Sequence, residues 1–127
     1  MSDMPRHPRP LSPHLQIYRP QLTAFTSILT RITGNALGVS TIVIVWWLYA
    51  MTRGGADYER ANWFLHTWVG EAILILSVWG LWYHYLAGIR HLIFDSLHGL
   101  DIATAQKLGW ACIIGSVLLT GLTIYLI

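Results

Sequence analysis

Three stretches of this chain, residues 32–52, 72–89 and 108–127, contain no Asp, Glu, Lys or Arg. They run for 21, 18 and 20 residues. A helix that crosses a bilayer needs about 20 predominantly apolar residues. Inside hydrocarbon every backbone N–H and C=O must be satisfied within the protein, which leaves helices or closed barrels. The runs lack the strict alternation of a barrel strand, so helices are expected. Composition agrees: 54% of residues are hydrophobic and 11% charged, against about 25% charged in soluble domains. The expectation is an all-α membrane protein with three transmembrane helices, at about 30–52, 63–93 and 103–126, behind a short arm and helix lead-in over residues 1–29.

The first 20 residues hold all five prolines, three arginines and two histidines. They offer no apolar signal-peptide core, and the prolines forbid a continuous amphipathic helix. The arm is therefore expected to stay on the synthesis side. The basic residues agree. Arg6, Arg9, Arg19 and Arg31 precede the first span, and Arg90 and Lys107 flank the second connection. Arg53 and Arg60 alone lie in the first connection, "TRGGADYER", which reads as an outer loop. That bias places the N-terminus and second connection in the cytoplasm. Gly99 is expected to stop the second helix and Asp101 to cap the third.

The chemistry-bearing stretch is "HYLAGIRHLIFD", residues 84–95. On a helix, His84, Gly88, His91 and Asp95 fall on one stripe. His84 and His91 are about 10 Å apart along the axis at roughly 1.5 Å per residue, too far to share one small metal ion. The spacing suits a large planar group with an apolar body and a charged end, such as a haem: imidazole ligates iron, a polar residue two turns on meets a propionate, and Gly88 leaves room between. An interhelical hydrogen bond or a proton path is the other reading of an intramembrane histidine.

Ser27 and Arg31, four residues apart, form a second cluster on the same side of the membrane. A hydroxyl and a guanidinium there can hold a carbonyl oxygen that is gaining negative charge, as in quinone reduction. Alternatively, Arg31 anchors the helix among headgroups and Ser27 serves a turn. His66 reads as interfacial, and Glu71 as interfacial or paired. Cys112, the single cysteine, reads as a small buried hydrophobe. "GNALG", residues 34–38, is a small-xxx-small pair that permits close helix approach.

"RPLSPHLQIYRPQLTAFTSILTRITG", residues 9–34, followed by "HYLAGIRHLIFD", resembles the cytochrome b membrane-anchor subunit family of succinate dehydrogenase, respiratory complex II. The resemblance covers nearly the whole chain. It implies a four-subunit enzyme in which a flavoprotein oxidises succinate, an iron–sulfur subunit relays electrons, and two small anchors in the lipid bilayer hold a haem b and help form a ubiquinone site. It implies that His84 is one axial iron ligand, the other coming from the second small membrane-anchor subunit. It further implies that His91 lies near the haem propionates, that Ser27 and Arg31 bind quinone, that Arg31 is shared with a propionate, and that Asp95 lies near the quinone-side surface. The location implied is the bacterial inner membrane, or the mitochondrial inner membrane in a eukaryote. No catalytic residue and no nucleic-acid partner are expected. Relatives commonly carry S-x-x-H-R where this chain reads Ser27-Ile28-Leu29-Thr30-Arg31, so Thr30 removes a titratable group without touching the iron ligand. The competing functions are an anchor of a quinol:fumarate reductase, a haem-free structural or quinone-binding anchor, and a small proton-conducting oligomer using Glu71 and His84.

Overall fold

A computed structural model describes His14 and residues 18–127. The rest of the arm, including most of "SPHLQIY", lies outside the described residues. Four helices follow: α1 (Leu22–Arg53), α2 (Gly55–Leu65), α3 (Trp68–Asp95) and α4 (Ile102–Leu126). The described chain is all-α, and α1, α3 and α4 are long and apolar enough to cross a membrane.

Helix α1 starts at Leu22, eight residues ahead of the expected 30, and its 32 residues extend about 48 Å at 1.5 Å per residue. The charge at Arg31 does not interrupt it, because that side chain is on an exposed face. The prolines end at Pro20, and beyond them nothing removes a backbone donor. Its buried threonines satisfy themselves. Thr26 Oγ1 donates to Thr23 O (3.0 Å) and Thr33 Oγ1 to Leu29 O (2.9 Å), so neither hydroxyl brings an unmet polar group into the apolar interior.

The first connection is not a loop. Gly54 (φ 64°) ends α1, and residues 55–65 form α2, with Asp57 in its first turn, where a carboxylate complements the helix dipole. Asp57 also meets Arg53 (3.4 Å) and Arg60 (3.6 Å). These exposed pairs contribute little stability. Helix α2 packs against α1 through an edge-on contact between Trp46 and Phe64.

The expected second span, 63–93, is broken at His66 and Thr67. Thr67 has extended backbone, its hydroxyl accepts from Gly70 N (3.2 Å) and donates to Phe64 O (2.6 Å), and so it caps α3 while turning away from α2. The corner is tight at Gly70, where an added Cβ would stand 2.6 Å from Leu65 Cα and still closer to Phe64 O. Both are backbone atoms that cannot rotate away. Gly70→Ala is expected to destabilise the subunit by at least about 1–3 kcal/mol, visible as a lower unfolding temperature in detergent. An unchanged temperature would mean the corner opens freely.

Helix α3 packs against both α1 and α4. Its buried stripe is Gly80, Tyr83, Ala87 and Arg90. The small residues at 80 and 87 let neighbouring helices approach. Facing it, α4 buries Gly109, Cys112, Ser116 and Thr120. Tyr83, Ala87 and Cys112 form the core, with Leu29, Leu86 and Ile113 around them. Cys112 is thus a small core residue. Helix α1 meets α4 at Gly109, where an added Cβ would contact Thr26 and Leu22. Large side chains such as Ile42 and Leu118 point outward, 69% and 68% exposed, as lipid-facing residues do.

Helix α3 ends at Asp95. Leu97 (φ 62°) and Gly99 (φ 69°) turn the chain through left-handed backbone. Asp101 caps α4, accepting from Thr104 N at 2.9 Å. That bond holds the Asp101 carboxyl below the usual carboxylate range.

Candidate functional site

Two neighbouring stripes of α3 have opposite environments. Tyr83, Ala87 and Arg90 are buried, whereas Gly88, His91 and Asp95 are exposed and His84 is half-buried. His84 sits in the groove between α1 and α3. Its Nδ1 lies 3.2 Å from Thr30 O and 3.4 Å from Thr33 Oγ1. Below the ring is Gly34, where a Cβ would stand 3.1 Å from His84 Cε1. The close approach foreshadowed by "GNALG" therefore happens at its first glycine. The second, Gly38, faces open space.

Gly88 has nothing within 4 Å of an added Cβ. The space beside Gly88, between His84 and His91 on the helix, is therefore open. One turn from His84, on the side away from His91, an apolar cavity of about 330 Å³ lies between α1 and α3, with Leu37, Ile73 and Gly80 in its wall. Ser40 and Ser77 bridge the two helices there, their hydroxyls 2.7 Å apart.

Ser27 is half-buried and Arg31 exposed, four residues apart on α1. Arg31 immediately follows Thr30, so the guanidinium-bearing residue and the seat of His84 share one turn. Among the described residues no hydrogen bond or ion pair engages the side chains of Ser27, Arg31, His91 or Asp95. The structure thus brings His84 together with Thr30, Thr33 and Gly34, and leaves the other four polar groups with their hydrogen-bonding capacity unspent on the same end of the bundle. His66 is exposed, with Nδ1 2.7 Å from Asn62 O, and Glu71 is exposed in the first turn of α3.

Arg90 differs from the sequence reading, which treated it as a charge flanking the connection. It is 5% exposed. Its Nη1 donates to Thr26 Oγ1 at 2.7 Å, its guanidinium lies 5.6 Å from the centre of the Phe94 ring, and its Nε is buried without a partner. Tyr83 donates its hydroxyl hydrogen to Thr26 O at 3.0 Å. This polar lock ties α3 to α1 one residue from Ser27. The spacing of Gly80, Tyr83, Ala87 and Arg90 was the sequence signal for it, since it repeats the three-and-four pattern of the histidine stripe on another face.

The sequence between residues 5 and 123 matches the profile of the succinate dehydrogenase/fumarate reductase transmembrane subunit family. The chain is 50% identical over 124 residues to the succinate dehydrogenase cytochrome b556 subunit of Paracoccus denitrificans, covering 98% of this chain and 95% of that one. It is 39% identical over 112 residues to the subunit of the same name from Rickettsia conorii, covering 88% and 87%. With the mitochondrial succinate dehydrogenase cytochrome B subunit of Schizosaccharomyces pombe it shares 34% identity over 125 residues, covering 89% of this chain and 66% of that one. Such a chain contributes to an enzyme complex as its membrane part and does not itself carry the catalytic centre. By the extent of these matches and by its three apolar helices, the chain belongs to the succinate dehydrogenase/fumarate reductase transmembrane subunit family.

Proposed function

We propose that this subunit holds a haem b in the membrane and supplies part of the site at which ubiquinone takes electrons from the iron–sulfur subunit of succinate dehydrogenase. The observation that carries the reading is the environment of His84: an imidazole half-buried between two membrane helices, fixed through Nδ1, with Nε2 making no hydrogen bond among the described residues. A histidine ligand commonly ties its second nitrogen to a carbonyl in this manner. The residues present fit a haem in two further respects. Gly88 keeps the face beside His84 clear, and the adjoining groove is apolar. When bound, the haem supplies one-electron redox chemistry.

In this reading His84 would hold the haem iron together with a residue of the second small anchor subunit. His91 and Arg31 neutralise the propionate end. Arg31 and Ser27 orient the quinone, Arg31 offering a fixed positive charge to an oxygen that becomes negative, and Ser27 a hydroxyl donor. The flavoprotein and iron–sulfur subunits dock at the end of the bundle bearing these residues, which is the cytoplasmic end by the distribution of Lys and Arg. The Paracoccus and Rickettsia relatives support a bacterial inner-membrane location. Those relatives are named for succinate dehydrogenase, which favours succinate oxidation over fumarate reduction.

The test is a reduced-minus-oxidised visible spectrum of the complex copurified with this chain. A six-coordinate, low-spin b-type signal is expected. Its absence from an intact complex that still reduces quinone would leave a haem-free anchor. Ser27→Ala tests the quinone half. Loss of one neutral hydrogen bond, about 0.5–1.5 kcal/mol, lowers kcat/KM for quinone roughly 2- to 12-fold. Normal quinone kinetics would remove Ser27 from the site.

A further inference from the structure

The environment of His84 on α1 has a chemical consequence. Thr30 O is a carbonyl oxygen and accepts only. Its 3.2 Å contact with Nδ1 is therefore a hydrogen bond when Nδ1 carries the hydrogen, and the neutral ring then presents its lone pair at Nε2. Thr33 Oγ1, 3.4 Å from Nδ1, has its own hydrogen committed to Leu29 O (2.9 Å) or Thr30 O (3.1 Å). It turns a lone pair toward Nδ1 and is a second acceptor for the same hydrogen. Both acceptors are uncharged. The ring lies close over residue 34 because that residue is glycine: a Cβ there would stand 3.1 Å from Cε1, 3.6 Å from Nδ1 and 3.9 Å from Nε2, and would push the imidazole away by a few tenths of an ångström.

We infer that the Thr30 main-chain carbonyl, the Thr33 hydroxyl and the bare backbone of Gly34 form a seat that fixes the tautomer and tilt of His84 and thereby sets the redox potential of the iron it ligates. The inference rests on the haem reading above. An acceptor at Nδ1 makes the imidazole a stronger electron donor, which stabilises ferric iron and lowers the potential. Carbonyl and hydroxyl acceptors do so less than a carboxylate would. It also follows that position 30 acts through its backbone, so the threonine side chain, engaged with Thr26 O at 2.8 Å, is not part of the seat.

The test uses the purified four-subunit complex with Gly34→Ala, Thr33→Val or His84→Ala in this chain. Two quantities are read: the midpoint potential of haem b, and the largest g-value of its ferric low-spin EPR signal, which reports the orientation of the axial rings. Gly34→Ala is expected to raise the potential and shift the g-value with haem content retained. Thr33→Val, nearly equal in shape, is expected to shift both in the same sense by less. Should Gly34→Ala fail to assemble, Thr33→Val decides alone. A potential and g-value equal to wild type in the assembled variants would overturn the seat. If His84→Ala also retains the wild-type signal, the ligand assignment falls with it; if His84→Ala loses the signal, the ligand stands and the seat alone fails.

Discussion

The complex carrying His84→Ala is expected to assemble and to lack the low-spin b-type spectrum. The two halves of that outcome have separate causes. On the haem reading, removing the imidazole takes away a group that would hold the iron, so any haem retained through the partner subunit would differ in absorption and EPR. Folding is spared because the groups left behind keep partners: Thr33 Oγ1 still donates to Leu29 O or Thr30 O, and the lock of Thr26, Tyr83 and Arg90 lies on another face of α3. Visible and EPR spectra of the variant complex, normalised to subunit content, are the measurement. An unchanged bis-imidazole signal would exclude His84 as ligand.

Arg31→Ala is expected to lower kcat/KM for quinone reduction roughly 10- to 150-fold, the equivalent of losing a charged hydrogen bond of about 1.5–3 kcal/mol. Succinate oxidation read with an artificial dye acceptor should remain near wild type, because that chemistry occurs on another subunit. The exposure of Arg31 and its lack of a partner among the described residues mean that little folding stability is lost with it. A parallel fall in both activities would instead assign Arg31 to assembly. Arg31→Lys adds a useful contrast: charge returns, but the planar fork of donors does not.

The membrane-spanning segments were legible because they depend on the absence of charge over some twenty residues, a property local to the sequence. The Asp101 cap was legible for the same reason: an acidic residue three positions before a donor N–H is a short-range signal. The start of α1 was not. Residues 21–31 mix polar and apolar positions, which put the start of the expected span at about 30, yet the helix begins at Leu22 and carries Arg31 on an exposed face. Nor was the break at Thr67, which depends on how Gly70 meets the end of α2. Arg90 was misjudged for a related reason: its charge was counted, but its burial is decided by Thr26 and Phe94, which come together only in the fold. Of the candidate site, the residues themselves stood out by type and spacing. The Thr30–Gly34 seat did not, since a main-chain carbonyl has no signature in sequence.

The placement of the α1–α4 contact has a mechanical consequence. Gly109 brings α4 onto Leu22 and Thr26 at one end of the molecule, and there the cross-links of Arg90 and Tyr83 to α1 also lie. Elsewhere α3 is the main neighbour of both outer helices. Helices α1 and α4 therefore meet directly at that end. When the bilayer thins or thickens, tilting takes up the mismatch at small cost per ångström. A tilt of α4 against α1 that pivots about Gly109 leaves Thr26, and with it the turn that carries Ser27, nearly in place.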